Sequence, residues 1–112
     1  MNKKYRIKKN QDFQKAYKKA KRYYNRDLTI LVVHNSLETK RFGFTLSRKF
    51  GKANKRNKVR RKLKEIIRSN LDRFDDGFDY VIIPKTQLIE MTYQEIEKTL
   101  FHCLKRIKKW VN

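Results

Sequence analysis

The chain has 112 residues with three Gly, one Pro and one Cys, and its 31 Lys and Arg face only 11 Asp and Glu, a formal charge of +20. No apolar run approaches the roughly 18 residues of a membrane span, Met1-Asn2-Lys3-Lys4-Tyr5 does not open a secretory signal, and a single Cys excludes an internal disulfide framework or a cysteine-built zinc site and suits a reducing cytoplasm. Seven Phe, six Tyr and a Trp still allow a small core, so the excess charge points to a polyanionic partner rather than to disorder. The charge is also segregated. Eleven basic residues lie between Met1 and Arg26 against Asp12 alone, and twelve lie between Glu38 and Glu65 with no acid. Five more lie between Lys98 and Lys109, whereas Asp72 to Glu97 is mildly acidic. Signs are mixed on a surface built only for solubility, so this pattern predicts basic faces on one continuous domain spanning residues 1–112.

In chain order, Phe13, Ala16, Tyr17 and Ala20 fall at helical spacing within Lys8 to Arg22, with Asn10 as the expected N-cap. Leu28 to Val33 is apolar on both alternations and predicts a strand covered on both faces. After a turn-like Asn35 to Lys40, Arg41 to Ser47 alternates, with Phe42, Phe44 and Leu46 on one side. The short polar link predicts an antiparallel hairpin of these two strands. A basic helix follows from about Asn54 to Asn70, with Val59, Leu63, Ile66 and Ile67 as its apolar stripe. Asp75-Asp76-Gly77 is a turn signal, and Phe78 to Pro84 a strand that Pro84 ends. Thr92-Tyr93-Gln94-Glu95 is a capping box with Met91 and Ile96 as its staple. The helix it opens runs to Val111, with Ile96, Leu100, Cys103, Leu104, Ile107 and Trp110 inward. The predicted order is α-β-β-α-β-α at least, an α+β domain with helices packed on a sheet, and Tyr23-Tyr24-Asn25 could add a short strand.

The segment Arg48 to Glu65 carries the chemistry. At about 100° per residue, Asn57, Arg61, Lys64 and Arg68 fall on one line with Arg60 beside it, roughly opposite Val59 and Ile66. One stripe packs; the other offers guanidinium and ammonium groups to phosphates. Like-charge neighbours at Arg56/Arg60, Arg60/Lys64 and Arg61/Lys64 cost a few tenths of a kcal/mol each, which a helix without an anionic partner has no reason to accept. On the first helix, Phe13 and Tyr17 stand one turn apart among Lys9, Lys15, Lys18 and Lys19. Aromatic faces beside positive charge suit single-stranded RNA, although i, i+4 aromatics equally suit core packing.

Gly43-Phe44-Thr45-Leu46-Ser47-Arg48-Lys49-Phe50-Gly51-Lys52-Ala53, leading into Lys55-Arg56-Asn57-Lys58-Val59-Arg60-Arg61, resembles the signature of the bacterial ribonuclease P protein subunit. Lys8 to Tyr17 is similar to that family's first helix, and Asp79-Tyr80-Val81-Ile82-Ile83 with the final helix to its remaining order. Two departures are visible: Lys58 stands where the family's motif has its second Arg, and Val59-Arg60-Arg61 where it has Ile-Lys-Arg. The resemblance implies an α-β-β-β-α-β-α sandwich with a mixed sheet and a left-handed β-α-β crossover. It implies binding to the catalytic RNA of ribonuclease P and to precursor tRNA, whose 5′ leader the holoenzyme removes, with Mg2+ held through the RNA subunit. The implied contacts are Arg48, Lys49, Lys52, Lys55, Arg56, Asn57, Lys58, Arg60, Arg61, Lys64 and Arg68 for RNA, and Lys9, Phe13 and Tyr17 for a leader cleft.

No catalytic group or metal site is expected in the protein itself. His34 and His102 share no motif, Asp72, Asp75, Asp76 and Asp79 match no calcium loop, and Cys103 lies on an apolar stripe. No Gly-rich phosphate loop or nucleophile elbow is present, and neither a membrane nor a protein partner is implied. The competing reading is a structural RNA-binding protein of ribosomal type, for which charge alone would serve.

Overall fold

A strand that is apolar on both alternations has to be covered on both sides, and this requirement orders the sheet. The computed structural model describes residues 1–111, with side chains through Ile107. Its elements are α1 (Asn10–Lys19), β1 (Lys21–Tyr24), β2 (Leu28–His34), β3 (Arg41–Phe44), α2 (Ala53–Arg68), β4 (Phe78–Pro84) and α3 (Tyr93–Val111), with short 3-10 turns between them. The sheet order is β1-β2-β4-β3. β2 is antiparallel to both β1 and β4, whereas β3 is parallel to β4. β3 and β4 are therefore parallel neighbours joined through α2, the β-α-β connection that the resemblance implies.

The expected hairpin of residues 28–33 with 41–47 does not form, because β4 lies between the two strands. Asp79 to Ile82 is buried on both faces, and an edge position would leave half of it in water. The polar link is tied to β4 instead: Asn35 N donates to Gly77 O, and Gly77 N to Thr39 O, both at 3.0 Å. Gly77 sits at φ +85°, a conformation that favours glycine, so the turn signal marks the point where β4 enters.

Two layers of side chains follow from the alternation. On one face Leu28, Ile30, Phe42, Tyr80 and Ile82 meet Val59, Leu63, Ile66 and Ile67 of α2 and Ile96, Leu100, Cys103, Leu104 and Ile107 of α3. On the other, Leu31 and Val81 meet Ala16 of α1 and Ile7. Trp110, expected inward on α3, lies outside the described side chains. The capping box forms as expected, with Thr92 N donating to Glu95 Oε1 at 2.9 Å and Glu95 N to Thr92 Oγ1 at 3.2 Å. Burial pushes the Cys103 thiol up to about 11, in keeping with a core residue.

Three boundaries differ from the sequence reading. The first helix stops at Lys19, because Tyr23 turns onto the core and Lys21–Tyr24 pairs with β2 as the fourth strand. Asn10 does not cap α1: Ile7 N donates to Phe42 O, the chain stays extended through Lys9, and Asn10 is already helical. The third strand ends at Phe44, although Thr45 N still donates to Ile82 O.

The turn after β1 is fixed to α3 by a buried polar network. Asn25 Oδ1 accepts from the N–H groups of Asp27 and Leu28 at 2.9 and 3.0 Å. Thr99 Oγ1 donates to Asp27 Oδ2 at 2.7 Å, and Gln87 Nε2 to Asp27 Oδ1 at 3.1 Å. Burial raises the Asp27 carboxyl, but the Thr99 and Gln87 donors and the charges of Arg26 and Lys85 outweigh it and hold the group below its ordinary value. A depressed carboxylate contributes stability above its unfolded pKa, near 3.9, and loses it as pH falls through the folded value. Asp27→Asn should therefore flatten the acid limb of a melting-temperature profile below about pH 4; an unchanged slope there would remove Asp27 from the account.

Candidate nucleic-acid interface

The basic helix presents its apolar stripe as read: Val59, Leu63, Ile66 and Ile67 are buried. Asn57, Arg61 and Arg68 are exposed on the opposite side, while Arg60 and Lys64 are half-buried along one flank. Ahead of the helix, Arg48, Lys49 and Lys52 are exposed around a turn that Phe50 anchors in the core. Gly51, at φ +84°, reverses the chain there, and Arg56 closes the loop by donating from Nη1 to Gly51 O at 2.6 Å. The N-cap Lys52 offers no side-chain acceptor, and no acid lies in the first turn. The helix thus begins with free N–H groups among Lys52, Lys55 and Arg56, where an anion is favoured.

Not every predicted contact is equally available. Arg68 donates to Glu65 through both Nε and Nη2, so its guanidinium is already paired. Arg60 Nη1 donates to Asn57 Oδ1 at 2.8 Å, which aligns the two side chains along the helix. By the helical step, Lys58 falls on the flank of Lys62, away from Arg60 and Lys64. Lys62 Nζ in turn donates to Met91 O at 3.0 Å. Arg60 and Lys64 are joined instead by Arg6, a residue the sequence reading passed over, because Arg6 bridges to Phe42 alongside β3. Partial burial, then the charges of Arg6 and Arg60, lower the Lys64 ammonium below its ordinary value. Among the described residues no carboxylate lies within 4.0 Å of these three cations. A phosphate placed there would relieve a repulsion that the folded chain sustains alone.

The second surface lies on the other side of the sheet. Phe13 is half-buried against the Ile7, Ala16, Leu31 and Val81 layer, so the core reading of this residue holds in part. Tyr17 is 44% exposed, and its hydroxyl is 2.7 Å from Thr45 Oγ1. The two rings stand 6.4 Å apart at 41°. Gly43 makes this seat: a Cβ there would lie 2.6 Å from Phe13 Cε1 and Cζ. Thr45 and Ile83 share this face and are half-buried, as is Thr29, paired with Ile83 across the sheet, so α1 leaves an open floor beside Tyr17. Lys9, exposed at the start of α1, sits at the far end of the same helix. The floor residues escaped the sequence reading because they lie on three different strands. The alternation of Gly43, Thr45 and Ser47 opposite Phe42, Phe44 and Leu46 was the available signal.

The remaining titratable residues are spread out. Asp79 is buried and accepts from Arg41 Nε and Nη2 at 2.9 and 2.7 Å, Asp76 lies 3.5 Å from Lys40, and Asp75 N donates to Tyr80 Oη at 3.1 Å. His34 stacks on Phe78 at 4.4 Å, and His102 meets Asn25 near the opposite edge. Among the described residues, no three His, Cys, Asp or Glu side chains converge to hold a metal ion. None of the described helices is long and apolar enough to cross a membrane.

Comparison with known proteins places this geometry in a family. The family model for ribonuclease P matches residues 1–108. The ribonuclease P protein component of Finegoldia magna is 42% identical over 106 residues, 95% of this chain and 93% of that protein. That of Bacillus cereus is 38% identical over 107 residues, 95% and 93% of the two chains. Among solved structures, a Staphylococcus aureus RNase P protein mutant with defective mRNA degradation activity superposes with a TM-score of 0.87 at 34% identity, covering 95% of this chain and 90% of that one. The RNase P protein from Thermotoga maritima gives 0.82 at 34% identity, covering 90% and 96%.

Two measurements probe the two surfaces separately. Arg6→Ala, Arg60→Ala, Arg61→Ala and Lys64→Ala should each reduce the salt dependence of RNA binding by about 0.7–0.9 in logarithmic slope, as expected for one lost phosphate contact. A slope unchanged by any one of them places that side chain in solvent. Gly43→Ala should cost about 1–3 kcal/mol in urea unfolding through overpacking against Phe13, and Phe13→Leu should relieve part of it. Additive losses in the double variant would mean that the two residues do not share this contact.

Proposed function

This chain belongs to the ribonuclease P protein family, and we propose that it docks α2 and the preceding loop on the catalytic RNA while the floor beside α1 holds the 5′ leader of precursor tRNA. Members of the family work with an RNA subunit in the 5′ maturation of tRNA, and the whole chain acts here as one RNA-binding unit. The reading as a ribosomal structural protein gives way to the family match over residues 1–108.

One observation carries the assignment: two chemically different surfaces lie on opposite faces of one sheet and meet at the end of β3. Thr45 belongs to the leader floor, and Arg48 and Lys49 begin the α2 surface three and four residues later. The α2 side offers closely spaced cations, which suits the phosphates of a folded RNA. The α1 side offers Phe13 and Tyr17 with Lys9, which suits unpaired bases, each stack contributing about 1–3 kcal/mol. A leader held on one face is thereby oriented against the catalytic RNA held on the other. Mg2+, expected through the RNA subunit, would supply charge stabilisation at the reacting phosphate; among the described residues of this chain no three carboxylates converge to hold it. What the protein adds is binding and orientation.

Reconstitution with a bacterial ribonuclease P RNA tests the reading. The protein should lower the magnesium requirement of cleavage and favour precursor over mature tRNA, and an addition that does neither would sink it. Phe13→Ala and Tyr17→Ala should weaken substrates with a leader by about tenfold each, the scale of one lost stacked base, and leave leaderless ones unaffected. Equal losses on both substrates would point to destabilised folding instead.

A further inference from the structure

Beyond the α1 floor, the sheet continues to an edge that neither RNA surface uses. Tyr24 pairs with Thr29 at the end of β1 and stands on the same face as Thr29 and Ile83. It is 60% exposed and, with Tyr17 and Leu37, one of three large exposed apolar side chains among the described residues. Three inter-strand steps of about 4.8 Å separate β3 from β1, so Tyr24 lies about 14 Å from Thr45 across an open row.

Past Tyr24 the chain turns and meets α3 around a groove of about 560 Å3, lined by residues that include Asn25, Arg26, Lys98, His102 and Arg106. Its cations come from two of the basic blocks, Arg26 from the first and Lys98 and Arg106 from the last. The Arg26 side chain is 92% exposed and reaches Asp27 only at 4.0 Å. Arg106 Nη1 donates to Tyr24 O at 2.6 Å, which ties α3 to the end of β1. The two acids of the groove are engaged elsewhere. Asp27 is buried within its hydrogen bonds, and Glu95 is bound to Thr92 N.

The groove wall is also fixed. Because Asn25 Oδ1 accepts two backbone N–H groups, its Nδ2 faces α3, donating its two protons to Thr99 O and Thr99 Oγ1 at 3.0 and 3.1 Å, with His102 Nδ1 3.2 Å away. An exposed aromatic at the sheet edge and three cations on a fixed wall are the elements of a single-strand site.

We propose that this edge is a second leader site: the upstream part of a precursor's 5′ leader, leaving the floor beside Tyr17, stacks on Tyr24, turns over the β1 edge and places its phosphates on Arg26, Lys98 and Arg106 on the α3 side. The proposal rests on the leader reading of the α1 floor and assigns Lys98 and Arg106 of the C-terminal basic block to substrate rather than to catalytic RNA. Its signature is a dependence on leader length.

Holoenzyme reconstituted with catalytic RNA would be assayed for affinity against precursors with nested leaders, from one that ends on the α1 floor to one that extends past β1. Tyr24→Ala, and separately the pair Arg26→Ala with Lys98→Ala, should reduce long-leader affinity by about tenfold relative to the short-leader reference. Tyr24→Phe should retain the wild-type dependence, since the ring remains. Equal losses at every leader length, or none, overturn the proposal. So does weaker assembly with catalytic RNA without a leader-length effect, which would give the groove to that RNA. Phe13→Ala in the same assay separates the two levels. If it fails to weaken the short-leader precursor, the α1 reading fails; if it does weaken it while the Tyr24 and Arg26 variants do not alter the length dependence, only the extension fails.

Discussion

The fold depends on β4 lying inside the sheet. Its alternate residues are apolar on both sides, so Tyr80 and Ile82 take the α2 and α3 layer while Val81 takes the α1 layer. A strand with that composition at an edge would expose apolar surface costing about 25 cal/mol per Å2 and would leave an unpaired backbone open to other chains. The interior position has its own difficulty, because Asp79 becomes buried with its strand. Arg41 answers it with two hydrogen bonds from β3, Asn35 adds a third at 2.9 Å, and Asp12 of α1 lies 3.5 Å from the same guanidinium. One ion pair thus links both of β4's neighbouring segments with α1.

A chain with a net charge of +20 folds by sorting its cations into two kinds. Some are tied into the structure: Lys40 Nζ donates to Leu71 O and Phe74 O at 2.7 Å each, Lys62 to Met91 O, and Arg41 to Asp79. These hold loops and helix ends in place by hydrogen bonds to charged donors, which contribute more than neutral ones. The others have no anion within reach and crowd one another, as Arg6, Arg60 and Lys64 do. Repulsion among them weakens the free protein, and a phosphate placed among them would neutralise several at once. Function is read from the second kind, and only the three-dimensional partners of each side chain tell the kinds apart.

Local pattern made much of this legible. The stripe of α2, the capping box of α3, the Gly77 turn and the strand ended by Pro84 were each written in a few adjacent residues. The separation of Phe13 and Tyr17 from the basic helix was visible in the same way. The strand order was not, because nothing in residues 28–47 records that a strand thirty residues later will enter between two sequence neighbours. For the same reason Arg6 was missed: its place beside Lys64 comes from pairing with Phe42, a contact of long sequence separation. Arg68 keeps its place on the helical line, and Glu65 one turn earlier pairs with its guanidinium.

The two faces divide the physical task. Under the proposed docking, cations on α2 meet phosphates that are present whether or not a leader is attached, so they would add equally to complexes with precursor and product and could not distinguish them. Discrimination would then have to come from a surface that only the leader touches, able to take an unpaired strand of arbitrary sequence. Stacking meets both conditions because every base has a face, and a floor of threonine and isoleucine beside two rings imposes no hydrogen-bond code. Gly43 is where the division becomes structural. It lets Phe13 approach the sheet closely enough to be held by the core on one side while Tyr17, one turn on, stays open to the strand. A side chain at that position would lift α1 and close the difference between precursor and product without touching a single cation.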